Sequence, residues 1–151
     1  MSRPRQPGAR RLLPTRPTPP RRRPRVLVVE DHPAAADMLV DVLGDEGYAV
    51  VAAVGLAAAE AALAAGRFDL VLCDSLRRST TGLLRERWAA LERVLDLAGR
   101  APVVVLTAYR PDFFADWRAR GFAELLPKPF GLDELLATVR RHLAPTGQSP
   151  G

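Results

Sequence analysis

Val26-Leu27-Val28-Val29-Glu30-Asp31 is four consecutive apolar residues ending on two adjacent carboxylates. β-branched residues favour an extended chain. A continuous apolar run, rather than an alternating one, marks a strand covered on both faces. The pattern recurs downstream. Residues 68–73 run into Asp74, residues 103–106 into Thr107, and residues 122–126 into Pro127-Lys128-Pro129. Residues 48–54 read as one further strand. Between these runs lie stretches of helical periodicity at 33–46, 56–65, 83–98, 112–120 and 132–143, three of them stopped by Gly66, Gly99 and Gly121. Strict alternation of strand and helix predicts a parallel sheet with helices on both sides and right-handed crossovers.

The 151 residues leave room for one domain of this kind. The formal charge of +5 joins two unlike parts. Residues 1–25 hold nine of the 22 basic residues and no acid, leaving 13 basic against 17 acidic residues in the remainder. Residues 1–24, rich in arginine and proline, are expected to be a disordered tail, because they carry too little apolar surface to offset the entropy of ordering. Charge alone would let this tail hold nucleic acid, although no aromatic residue interleaves the arginines for base stacking. Residues 25–144 are expected to form the domain and 145–151 a flexible end. The single cysteine, Cys73, excludes a disulfide framework and a cysteine-rich zinc site. No stretch approaches the ~18 to 20 apolar residues of a membrane span, and a reducing cytoplasm is the expected setting.

In an open parallel sheet the strand C-termini share one edge, and ligands bind there. Glu30, Asp31, Asp74, Thr107 and Lys128 all follow apolar runs, so one rim should receive three carboxylates, a hydroxyl and an ammonium. Lys128 is the only lysine beside 21 arginines. A lysine offers a compact point charge where an arginine offers a planar fork. Three close carboxylates repel one another unless a cation sits among them, and an all-oxygen set open to water suits Mg2+. An anion then becomes welcome, and a carboxylate can act as nucleophile on phosphorus. Asp74 would be that nucleophile, with Lys128 and Thr107 neutralising the transferred group. Singly, each residue has a plainer use. Asp31 before His32-Pro33 could cap a helix, Asp74 could be a turn residue, and Thr107 a satisfied hydroxyl. His32 and His142 read as surface residues, and Trp88 and Trp117 as packing residues.

Taken together, Val26-Leu27-Val28-Val29-Glu30-Asp31, the run from Phe68 to Asp74 with Gly82, Val103-Val104-Val105-Leu106-Thr107-Ala108 and Leu126-Pro127-Lys128-Pro129-Phe130 resemble a response-regulator receiver domain. The resemblance implies a flavodoxin-like (βα)5 fold with strand order 2-1-3-4-5. It implies that Asp74 is the phosphoacceptor, served by a sensor histidine kinase or a histidine phosphotransfer protein. Glu30, Asp31, Asp74 and the backbone carbonyl of Leu76 would hold Mg2+. Thr107 and Lys128 would bind the phosphoryl oxygens, and the Lys128-Pro129 bond would be cis. Two departures stand out. Arg78 replaces a frequent proline in Arg77-Arg78-Ser79-Thr80-Thr81, and Leu125 replaces the aromatic residue whose rotation is thought to carry the signal.

The expected protein is therefore a stand-alone receiver, a phosphoacceptor rather than an enzyme acting on other molecules. It would signal by protein–protein contact through the face formed by residues 113–143. No DNA-reading module is recognisable in the sequence. Rival readings are a phosphorylation-independent interaction module, a nucleic-acid binder working through the tail, and a metal-dependent phosphatase. The last lacks a second acid–base residue beside Asp74.

Overall fold

Val26, Leu27, Val28 and Val29 have no solvent exposure, as a strand covered on both faces requires. In the computed structural model, which describes residues 22–76, 81, 83–108 and 115–143, they belong to β1 (Arg25–Val29). The chain continues through α1 (Pro33–Asp45), β2 (Ala49–Ala53), α2 (Leu56–Ala65), β3 (Leu70–Asp74) and α3 (Leu84–Ala98). It ends with β4 (Val103–Thr107), β5 (Glu124–Pro127) and α4 (Leu132–His142). All strand pairs are parallel, in the order β2-β1-β3-β4-β5. The flavodoxin-like order that the resemblance implied is the order observed. β3 and β4 are buried throughout, whereas β2 at the sheet edge exposes Val51 and Ala52.

Side chains alternate across the pleat, so each strand feeds two cores. On one face Leu27, Val29, Val71, Cys73, Val103 and Val105 meet Ala59 of α2 and Trp88, Leu91 and Val94 of α3. On the other, Val26, Val28, Leu70, Leu72, Val104 and Leu106 meet Leu39 and Leu43 of α1 and Leu135, Leu136 and Val139 of α4. Each fully buried Val or Leu contributes roughly 1.5–3 kcal/mol of transfer free energy. These two layers hold the strand ends at one level. Local signals support the helices. Pro33 opens α1, the Glu134 carboxylate accepts the Gly131 N–H at 3.2 Å, and α4 runs from Asp133 and Glu134 to Arg140, Arg141 and His142, complementing its dipole.

Several boundaries differ from the sequence reading. Asp74 and Thr107 are the last residues of their strands rather than the first beyond them, and Pro127 closes β5. An edge strand tolerates that proline because it need not donate on its open side. The helix expected over residues 112–120 lies partly outside the described residues. Its described part, residues 115–120, forms consecutive turns. There Arg120 N–H bonds to the Asp116 carbonyl, Gly121 to Arg118 and Phe122 to Trp117. That mixture of spacings ends at Gly121, whose φ of 104° favours glycine. Trp88 is buried and Trp117 half-buried against the first core, as expected of packing residues. His142 is more than a surface residue, because its Nε2 lies 2.6 Å from the Glu124 carboxylate. Residues 1–21 of the expected tail, the Arg77-Arg78 loop, Gly82 and the 145–151 end lie outside the described residues. Among the described residues no helix is long and apolar enough to cross a membrane.

Candidate functional site

Four strand ends deliver the polar rim. Glu30 and Asp31 follow β1, Asp74 ends β3, Thr107 ends β4 and Lys128 follows β5. Glu30, Asp31, Asp74 and Thr107 are all buried, at 1%, 5%, 6% and 0% exposure. Such burial of acids is costly without compensation, so their partners matter. Lys128 supplies one. Its Nζ lies 3.0 Å from Asp74 Oδ1 and 3.5 Å from Glu30 Oε2. Its backbone N–H donates to the Thr107 carbonyl at 2.6 Å, and the Lys128-Pro129 bond is cis. The His32 N–H donates to Glu30 Oε1 at 3.3 Å. The N-cap of α1 is His32, with no side-chain capping bond, so Asp31 does not occupy that role.

Electrostatics follow from this packing. Burial, then the neighbouring Asp74 charge, raises the Glu30 carboxyl above the ordinary 4.5, against the opposing pull of Lys128 and the His32 N–H. Burial alone would lower the Lys128 ammonium, but the hydrogen bond and charge of Asp74, with Glu30 behind it, carry it above 10.5. The Cys73 thiol is pushed far up by its burial and then by Asp74, Asp31 and Glu30 in turn. All three carboxylates therefore act on one buried atom, and Cys73 stays an inert thiol.

The site thus brings Glu30, Asp74 and Lys128 into direct contact, with Asp31 close enough for its charge to reach Cys73. Thr107 is joined to the group through its carbonyl. Leu76 is buried, with a left-handed φ of 55° that a non-glycine residue adopts only under local constraint. Ser75 is an addition to the expected set. It is buried beside Asp74, and its N–H donates to the Leu106 carbonyl at 3.1 Å, tying the loop to β4. Its position next to Asp74 was the only signal in the sequence.

Three carboxylates against one ammonium leave a negative excess that a cation would relieve. Among the described residues no three His, Cys, Asp or Glu side chains form a group placed to hold a metal ion. The donors at the rim are all oxygen, a chemistry that suits a hard cation better than zinc.

The sequence pattern of the response regulator receiver domain matches residues 26–140. The chain belongs to this family. As a receiver domain it is 32% identical over 117 residues to the transcriptional regulatory protein DltR of Streptococcus agalactiae, covering 77% of this chain and 50% of that protein. Among solved structures it is similar to the chemotaxis response regulator CheY4 of Vibrio cholerae, with TM-score 0.68 and 28% identity over 81% of this chain and all of that one. A response regulator from Burkholderia pseudomallei, solved with a phosphorylated aspartic acid, a calcium ion and citrate, aligns with TM-score 0.65 and 25% identity, covering 76% of this receiver chain and 65% of its own. The chain spans about half the length of the curated relatives it matches.

Proposed function

We propose that Asp74 accepts a phosphoryl group from a phosphohistidine on a sensor histidine kinase or a histidine phosphotransfer protein. An Asp74 carboxylate oxygen forms the new bond to phosphorus, and the P–N bond to the donor imidazole breaks with its electron pair returning to the ring. The product is an acyl phosphate. Lys128 and the Thr107 hydroxyl bind the phosphoryl oxygens, and Lys128 exchanges its carboxylate contact for the incoming anion. Glu30, Asp31, Asp74 and the Leu76 carbonyl are the groups that would hold Mg2+. When bound, the ion neutralises charge between the carboxylates and the transferred group. Membership of the receiver family supports this reading. The observation that carries it is the 3.0 Å contact between Lys128 and Asp74 inside an acidic hollow.

Phosphorylation would shift an existing equilibrium between two states of the β5–α4 side, which includes residues 115–143 of the face expected to meet a downstream protein. A phosphorylation-independent interaction module is the second reading. It is favoured by Leu125, which packs half-buried against the first core opposite Val105 and has no ring to rotate. Incubation with Mg2+ and a small acyl phosphate, followed by intact-mass measurement, tests the proposal. Wild type gains one phosphoryl group and Asp74→Ala gains none. No gain on wild type, or an equal gain on the variant, overturns it.

A further inference from the structure

At the sheet edge opposite the Asp74 rim, where β3 and β4 begin, α2 and α3 end beside a cleft of about 690 Å³. Leu63, Leu97 and Ala101 line it together with Phe68. Leu63, Phe68 and Ala101 also pack against the first core, so this lining is continuous with the interior. Arg67 and Arg100 complete the walls and are exposed. A volume within the roughly 300–1,000 Å³ of small-molecule sites, with apolar side chains and a few charged ones, has the character of a ligand pocket.

Among the described residues neither guanidinium makes an ion pair. Asp69, the acid closest to Arg67 in the chain, accepts the Arg25 N–H at 2.7 Å instead. The wall formed by Arg67 and Phe68 is held from behind. The Arg25 guanidinium donates to the Arg67 carbonyl at 2.9 Å and lies 4.7 Å from the Phe68 ring centroid. Gly66 leaves it room, since a Cβ there would come within 2.9 Å of Arg25 Nη1. Two cations beside an apolar lining call for an anion with an apolar body. The helix ends limit its charge. Each C-terminus carries about half a negative charge, so α2 and α3 together offset about one guanidinium and disfavour a polyanion. A single carboxylate matches both the remaining charge and the guanidinium fork. Arg25 already covers the Phe68 ring and the other apolar residues are aliphatic, so an alkyl chain suits the lining better than a flat ring.

We propose that this cleft binds a medium-chain alkyl monocarboxylate, with its chain along Leu63, Leu97 and Ala101 and its carboxylate between Arg67 and Arg100. The ligand bridges the ends of α2 and α3. Because the cleft lies at the sheet edge away from Asp74, occupancy needs neither Mg2+ nor phosphorylation.

Octanoate, titrated below its micellar concentration into the isotope-labelled full chain, tests this by NMR. Amide signals of residues 63–68 and 97–101 should shift saturably, while those of Asp74 and Thr107 stay in place. Combining Arg67→Gln with Arg100→Gln should weaken binding roughly tenfold or more. Octanol, which keeps the chain and lacks the charge, should bind more weakly by a similar factor, and pyrophosphate should bind more weakly than octanoate. Both arginines are exposed, so the double variant should fold, and an unchanged thermal melt checks that. Shifts that are absent, unsaturable or mapped to another surface overturn the proposal, as does equal affinity in the double variant. Equal binding of octanol would reduce the cleft to an apolar crevice, and tighter binding of pyrophosphate would make it a polyanion site. Either result also overturns it.

Discussion

Lys128 is held to Thr107 by its backbone, at 2.6 Å from N to O, and reaches Asp74 with its side chain, at 3.0 Å from Nζ to Oδ1. One residue thus ties the end of β5 to β4 through the peptide and to β3 through charge. The backbone bond fixes where the side chain starts. The half-buried surroundings fix how far an ammonium can swing before it loses solvation and must choose another anion.

That arrangement predicts an unequal response to substitution. Lys128→Met removes a charge-assisted hydrogen bond of about 1.5–3 kcal/mol, so phosphorylation of Asp74 should slow roughly 10- to 100-fold. Lys128→Arg keeps the charge but presents a planar fork in a space entered by a single Nζ, and should not restore the rate. Time-resolved intact-mass measurement with Mg2+ and an acyl phosphate checks both. A wild-type rate in Lys128→Met would remove Lys128 from the transfer.

Glu30 should titrate above 4.5, because burial and Asp74 favour its neutral form. Its folded state then binds the proton more tightly than the unfolded chain. The stability it contributes is present below the ordinary carboxylate range and is lost as pH rises through the folded value. Removing the opposing ammonium in Lys128→Met should raise the Glu30 value further, and Asp74→Asn should lower it. Carbon-detected NMR titration of the side-chain carboxyl gives the sign in each variant. For Lys128 the direction is the same at higher pH. Its raised value means the stability from the pairing is fully present below the ordinary 10.5 and is lost as pH rises through the folded value.

A divalent ion that binds the folded acidic rim must stabilise it. At about a hundredfold excess over its Kd, Mg2+ should add about 2.7 kcal/mol to unfolding. The gain should disappear in Asp31→Asn and Asp74→Asn. Without metal, Asp31→Asn should be neutral or stabilising, since it lowers the carboxylate excess around Glu30 and Asp74. Thermal melts with Mg2+ and with a chelator separate these effects. An equal rise in Tm for wild type and Asp31→Asn would place the ion elsewhere.

The central strands were legible because Val26 to Val29 and Val103 to Leu106 are unbroken apolar runs, and no helix surface of a small domain needs that. Strand ends were harder to read. Whether Asp74 and Thr107 belong to the ladder depends on their partners Leu106 and Pro127, which come from other segments. The turns at 115–120 escaped a local reading for the same reason. Arg120 is drawn to Trp88 and Glu92 of α3 rather than to a continuing helix. The strand order came from the resemblance, since alternation alone fixes the layers and not the sequence of strands across the sheet. The rim residues were named from their positions after apolar runs. The unequal contacts among them, with Lys128 on Asp74 and Glu30, are set by tertiary packing that no single segment encodes. Glu124 illustrates what no periodicity reveals, because its carboxylate receives both Arg141 and His142 from α4.

Arg120 permits a test of which force dominates at a crowded surface. Its guanidinium lies 4.1 Å from the Trp88 ring centroid, and it pairs with Glu92 at 2.6 Å and Asp116 at 2.8 Å. The carboxylates are 44% and 54% exposed, so solvent screening should leave each pair at about 0.2–1 kcal/mol. Trp88 is buried and also packs on Phe122 at 5.6 Å, so the cation–π contact works in a less watery setting and should reach roughly 1–2 kcal/mol. Arg120→Ala should therefore lower stability by more than Glu92→Gln and Asp116→Asn together. Raising salt to about 0.5 M should erase the effect of the two acid variants but not that of Arg120→Ala. Urea unfolding at both salt levels decides it. A loss in Arg120→Ala that vanishes with salt would mean the ion pairs, and not the indole, hold this corner of the domain.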